Sequence, residues 1–213
     1  VHAFIADIHL RPEAEKDISR FVSWLTDIKA EADAVYILGD LFDYWYTGLE
    51  ERFREVLGAL SSPGVHLLKG NRDFLLKNFL SPEIHIIPAE EFIIRINDTR
   101  VLIAHGHTLT QGDTGFRLLH RFGWPLIESL DRMLPLNFKD RLAQLLVDSS
   151  AAVRPSFASI REGIEAEKDV DLVICGHLHR YYTGPGLIVL PAFFDSGQWL
   201  AWDDSGPNLR SYL

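Results

Sequence analysis

Five short strings in this chain put metal-ligand residue types directly behind apolar runs. AFIA leads into Asp7-Ile8-His9, and YILG leads into Asp40, with Asp43 close behind. HLLKG leads into Asn71, Arg72 and Asp73; VLIA into His105; VICG into His177-Leu178-His179. In extended chain, residues i and i+2 point the same way, so Asp7 with His9, and His177 with His179, each converge on one spot. An isolated HxH pair describes surface histidines equally well. Five such strand ends, several carrying glycines that permit sharp turns, describe something else. In open α/β sheets ligands gather outside the carboxyl ends of strands, and carboxylate, amide and imidazole donors gathered there point to a metal centre.

The elements that must position these residues read as strands alternating with helices. Strands are expected at Ala3–Ala6, Ala34–Leu38, Val65–Leu68, Phe92–Ile96, Val101–Ala104, Leu172–Cys175 and Leu187–Leu190, with a last pair near Trp199–Trp202 and Leu209–Tyr212. Glu13–Lys29 carries a helical stripe of Ile18, Phe21, Val22, Leu25 and Ile28. Glu51–Leu60 reads as a second helix closed by SSPG, and turns are expected at Asn97–Thr99 and in DDSGP. Parallel βαβ units early and hairpins late imply an α/β sandwich with mixed sheets. GxGxxG and GxxxxGK[ST] are both missing, which disfavours dinucleotide and P-loop chemistry. A net charge of −9 argues against broad electrostatic binding of nucleic acid. One cysteine excludes a disulfide framework and fits a reducing compartment. No signal-peptide pattern or membrane-spanning apolar stretch is read.

The ordered series DxH, GDLFD, GNRD, HG and GHLH resembles the calcineurin-like metallophosphoesterases across almost the whole chain. Within that family, FIADIHL, YILGDLFDYW, GNRDFLL and VLIAHGHTL are most similar to the branch that hydrolyses UDP-2,3-diacylglucosamine in lipid A biosynthesis. The resemblance implies a single domain over 1–213: a four-layered αββα sandwich, with a helical cap inserted at about 116–168. It also implies a dinuclear site, usually manganese. One metal would take Asp7, His9, Asp40 and His179; the second would take Asp40, Asn71, His105 and His177.

Elementary chemistry agrees with that assignment. Two carboxylates against two dications leave a surplus of roughly +2, suited to an anionic diphosphate and to lowering the pKa of a bridging water. A nitrogen and oxygen shell without thiolate admits Mn, Fe, Zn or Co and disfavours Mg; resemblance alone selects manganese. Many relatives carry a histidine acid where Arg72 stands. Guanidinium cannot donate a proton near neutrality, but it clamps phosphate bidentately. Arg72 and the bridging Asp40 are therefore the expected catalytic residues. The reaction favoured is phosphoanhydride cleavage, whose leaving group needs little acid help. The competing reading of Arg72 is a structural salt bridge with Asp73.

Other residues are expected to be structural: His2, His66, His85, Cys175, and Tyr44–Tyr46 as packing. Asp43 is expected to orient a ligand or cap a turn. His107 stands where the diphosphatase branch has aspartate and reads either as support for the site or as incidental. In the cap, Leu126, Ile127, Leu130, Met133 and Leu134 fall at helical spacing up to Pro135, and Leu142, Leu145 and Leu146 follow. From Phe116 to Arg161 there are seven basic and four acidic residues, about +3 on an acidic chain. Such a cap suits acyl chains at an anionic lipid surface, and ordinary core packing explains the stripe equally.

Carried over by resemblance, the substrate contacts are Asn71, Arg72, Asp113, Ser150, Arg154 and His177. Phe157 stands where the family has a lysine. The expected reaction is attack by metal-activated hydroxide on the α-phosphorus of UDP-2,3-diacylglucosamine, releasing UMP and 2,3-diacylglucosamine 1-phosphate. The expected location is the cytoplasmic face of the inner membrane, peripherally, with no nucleic acid and no obligate protein partner. Another nucleotide-diphosphate or phosphodiester hydrolase on the same core, or a non-catalytic scaffold, are the alternatives.

Overall fold

A computed structural model describes residues 1–73, 75–76, 83–109, 124–131, 133–150 and 164–212. Among them, two mixed sheets stack face to face. The first holds β1 (His2–Ile5), β2 (Ala34–Leu38), β3 (Val65–Leu68), β4 (His85–Ile87), β10 (Gln198–Asp203) and β11 (Gly206–Ser211), in the order β11-β10-β1-β2-β3-β4. The second holds β5 (Glu91–Ile96), β6 (Thr99–Ala104), β7 (Leu172–Cys175), β8 (Tyr182–Gly184) and β9 (Leu187–Val189), in the order β5-β6-β7-β9-β8. In β1–β4, and again in β6, β7 and β9, neighbouring strands run parallel. Two groups of carboxyl ends therefore open on the same side as the loops that follow them.

Strand periodicity builds the layers. Ala3, Ile5, Val35, Ile37, Val65 and Leu67 face outward into a core completed by α1 (Glu15–Lys29) and α2 (Arg54–Leu60). Their neighbours Phe4, Tyr36, Leu38 and Leu68 face the opposite way and meet Val101, Ile103, Ile174 and Ile188 of the second sheet. Leu102, Ala104, Val173, Cys175 and Val189 form a third cluster on the far face of that sheet, and α5 (Ile164–Glu167) packs against β7. Helix, sheet, sheet and helix thus follow one another, an αββα arrangement. Phe21, Trp24 and Leu25 of α1 are fully buried, each stabilising the fold by about 1.5–3 kcal/mol.

The helix at α1 begins at Glu15 rather than Glu13, because Arg11–Ala14 closes a turn in which the Ala14 N–H donates to the Arg11 carbonyl. Strands β4 and β8 went unanticipated. Each has three residues, too few for a period to be legible. Two helices, α3 (Trp124–Asp131) and α4 (Leu136–Ser150), fall within the segment expected to form a cap, and α6 (Phe193–Ser196) precedes β10. Among the described residues no helix is long and apolar enough to cross a membrane.

Candidate metal centre

Among the described residues, seven non-glycine residues adopt positive φ, and five of them are Asp7, His9, Asp40, His177 and His179. Left-handed backbone costs an L-residue of order 1–3 kcal/mol and persists where the surroundings over-determine it. Here it turns each chain segment sharply as it leaves its strand and aims the side chain back across the sheet ends. Glycines let these segments approach. A Cβ on Gly70 would lie 2.0 Å from Asp40 Oδ1, and one on Gly176 would lie 2.7 Å from Asp7 Oδ2.

The side chains so aimed form two overlapping groups. Asp7, His9 and His179 bring one ligand atom each within 4.8 Å of one another, and so do Asp7, Asp40 and His105. His9 Nε2 and His179 Nε2 stand 3.2 Å apart, and His179 Nε2 is 3.4 Å from Asp7 Oδ1. Asn71 Oδ1 lies 2.9 Å from His105 Nε2, while His105 Nδ1 faces the Leu38 carbonyl at 2.9 Å. The ring of His177 meets that of His105 edge-on, with centroids 5.1 Å apart, and its backbone N–H donates to Asp7 Oδ2 at 2.8 Å. Asp7 is common to both groups, and Asp40 of the second also approaches the first. Asp40 Oδ2 is 3.5 Å from His105 Nε2 and 4.0 Å from His9 Nε2, while Oδ1 accepts the Arg72 N–H at 3.0 Å.

These surroundings call for positive charge. Burial disfavours the charged form of His105, yet the Asp40 and Asp7 carboxylates outweigh it and raise its pKa. Burial likewise opposes, and the Asp7 carboxylate reverses, the shift at His179, whose pKa is raised. Burial would raise Asp7, but His179, His105 and His9 overcome it and hold the carboxyl low. Asp7 Oδ1 is buried without a hydrogen bond of its own. In His177, burial and the charge of His105 push the pKa down to about 4, so the ring stays neutral and keeps a lone pair for a metal. Two buried carboxylates, converging imidazole nitrogens and an amide oxygen fit a pair of divalent transition metals. Asp7, His9, Asp40 and His179 would hold one, and Asp40, Asn71, His105 and His177 the other.

Arg72 does not pair with Asp73. Its Nη1 donates to Asp43 Oδ1 in a short contact, and its Nε lies 3.9 Å from Asp40 Oδ2. Asp73 is fully buried and accepts backbone N–H groups from Gly70 at 2.5 Å and Leu41 at 2.8 Å. Burial and the nearby Asp40 carboxylate push Asp73 up to about 7, against the pull of those donors. Asp43 is a hub. Besides Arg72 it accepts Arg11 Nε at 2.6 Å, and its Oδ1 lies 3.4 Å from His9 Nδ1, which leaves Nε2 directed at the centre. Arg11 is not among the residues that the ligand spacing singles out. Neither is Phe194, whose ring packs edge-on against His9 and His179 at 5.4 and 5.9 Å. Only Arg11, two positions beyond His9 in a loop, offered any signal.

His107 is buried, its ring centroid 5.4 Å from His105 and 6.3 Å from His177. Cys175 is buried, and burial together with Asp7 pushes its thiol up to about 12, which removes it as a nucleophile. His2 and His66 flank the Tyr36 ring in a stack, and His85 closes on His66 edge-on, away from the centre. Trp45 and Tyr46 are buried in the core beneath α2. Of the cap stripe, Ile127 packs on the core, whereas Leu130, Met133 and Leu145 are exposed. Asp113 and Arg154 lie outside the described residues, as do Arg117, Arg121, Arg132, Phe157, Arg161 and the side chains of Leu126 and Ser150.

The chain matches the calcineurin-like phosphoesterase family over residues 3–181. It is 35% identical to a UDP-2,3-diacylglucosamine hydrolase of Photorhabdus laumondii over 198 residues, covering 84% of this chain and 82% of that protein. It is 33% identical to a UDP-2,3-diacylglucosamine hydrolase of Yersinia pestis, covering 83% and 81%. Among solved structures, Yfce, a phosphoesterase from E. coli, superposes with a TM-score of 0.50 at 16% identity, covering 99% of this chain and 92% of that one, a likeness of fold. The chain belongs to the calcineurin-like phosphoesterase family and is a metal-dependent hydrolase.

Proposed function

We propose that this enzyme cleaves the diphosphate of UDP-2,3-diacylglucosamine to UMP and 2,3-diacylglucosamine 1-phosphate, a step of lipid A biosynthesis, with two manganese ions. The observation that carries the reading is Arg72, held by Asp43 at the edge of the paired ligand groups beside Asp40. The substrate named by the relatives supports it. When bound, the two metals supply Lewis acidity and an activated water.

The protein's own residues do the rest. Arg72 presents a permanent guanidinium charge to the diphosphate, stabilising charge as the P–O bond breaks without giving up a proton. Asp43 fixes that guanidinium, and the same Oδ1 stands 3.4 Å from His9 Nδ1. Phe194 sets an aromatic edge against the His9–His179 side.

The cap offers Leu130, Met133, Phe138 and Leu145 to solvent, and Met133 is 78% exposed. Such a face suits acyl chains and a peripheral position on the cytoplasmic leaflet. Lys139, one of the basic residues behind the expected +3, is buried and adds nothing to a basic surface.

The test is hydrolysis by manganese-loaded protein of UDP-2,3-diacylglucosamine, UDP-glucose and bis(p-nitrophenyl) phosphate in ¹⁸O water. Label in UMP, and preference for the lipid, are expected. Label in the sugar phosphate means attack at the other phosphorus. Preference for UDP-glucose moves the reading to a general nucleotide-diphosphate hydrolase.

A further inference from the structure

The loop that leaves β2 carries Asp40 and Asp43 and then runs under the cap, where three consecutive residues are gripped. Thr47 gives up every polar group. Its N–H lies 3.2 Å from both carboxylate oxygens of Asp131, its hydroxyl donates to Asp131 Oδ2 at 2.6 Å, and its carbonyl accepts Lys139 Nζ at 2.8 Å. Asp131 ends α3, Lys139 lies in the first turn of α4, and the two pair at 3.1 Å. Both are buried, Asp131 at 3% and Lys139 at 7% exposure.

The residues on either side are held as well. Tyr46 Oη donates to Asp140 of α4, which also accepts Arg52 Nη1 at 2.9 Å. Gly48 has φ of +109°, and a Cβ there would stand 2.3 Å from Leu136 Cδ2 at the start of α4. A buried ion pair is costly to form and is weak evidence for stability as such. This one does something more specific: the acid takes the donors of one loop residue and the base takes its acceptor.

We propose that Asp131 and Lys139 are positioning residues, a polar latch that seats the α3–α4 cap on the loop after β2. The latch fixes where the apolar face of Leu130, Met133 and Phe138 stands relative to the metal centre. This rests on the reading above that the substrate carries acyl chains. The metal ligands sit on strand ends that the latch does not touch. Loss of the latch therefore raises KM for the lipid and spares the chemistry of a small diester.

The experiment uses the manganese-loaded protein and the variants Lys139→Met, Lys139→Arg and the exchange Asp131→Lys with Lys139→Asp. Folding of each is checked by thermal melting. Lys139→Met should raise KM for UDP-2,3-diacylglucosamine about tenfold or more, with kcat/KM for bis(p-nitrophenyl) phosphate unchanged. Lys139→Arg should rescue it. The exchanged pair should not, because it restores the ion pair but turns a carboxylate onto the Thr47 carbonyl. Recovery by the exchanged pair, or equal losses on both substrates, would overturn the latch in favour of a merely structural pair. If wild-type protein does not turn over the lipid, the functional reading fails by itself. The latch is then decided by hydrogen exchange: Lys139→Met must speed exchange in α3 and α4 but not in β2, and unchanged rates refute it.

Discussion

Gly70→Ala isolates the role of close packing at the bridging carboxylate. Gly70 does not have positive φ, so alanine fits its backbone and only the added methyl matters. That Cβ would stand 2.0 Å from Asp40 Oδ1 and 2.4 Å from the Asp40 backbone nitrogen. Ordinary contact begins at 3.4 Å, so Asp40 and the Gly70 segment must separate by about 1.4 Å. The backbone nitrogen cannot rotate away as a side chain could, so the β2 and β3 loops themselves must part. Overpacking of this kind costs about 1–3 kcal/mol of stability. A ligand displaced by ~1 Å costs on the order of 100-fold in rate, about 2.7 kcal/mol in barrier. Thermal melts, elemental analysis after gel filtration and kcat with manganese should show a folded, metal-poor, slow enzyme. Gly58→Ala is the control, since its Cβ meets nothing within 4 Å in helix α2, and it should gain about 0.5–1 kcal/mol. If Gly70→Ala keeps wild-type turnover and metal content, Asp40 is not held where the chemistry requires it.

Asp40→Ala should lose roughly both metals and all activity, because Asp40 is the ligand assigned to both metals and the dications lose the charge that screens them; two metals and normal turnover would remove Asp40 as the bridge. Stability should also fall in acid through the His66 stack. Burial and the charge of His85 lower the His66 pKa below 6.5, so below that pH the unfolded chain binds more protons than the fold and stability drops as pH falls. In urea titrations His66→Phe should flatten that slope while keeping the ring stacked on Tyr36, 5.0 Å away; an unchanged slope places the acid sensitivity elsewhere.

What the sequence by itself determined is the part written locally. Short continuous apolar runs, the glycines behind them and the DxH, GD, GN and GHLH endings are each contained in fewer than ten residues. They suffice for the sandwich, for the side of the sheets that carries the chemistry and for the ligand types. Tertiary structure alone decided who partners whom. Asp73 is adjacent to Arg72 in sequence yet turns inward to cap the N–H groups of Gly70 and Leu41, and the guanidinium reaches Asp43, 29 residues away. Lys139 counts as surface charge in the sequence and proves to be buried on Thr47, 92 residues away. Leu130 and Ile127 share one helical stripe, but only Ile127 meets the core. The physical reason is common to all three. A residue's type and its strand or helix are set by near neighbours. The partner of a charged side chain is chosen by whichever distant segment crosses within about 3 Å of it after the layers have packed.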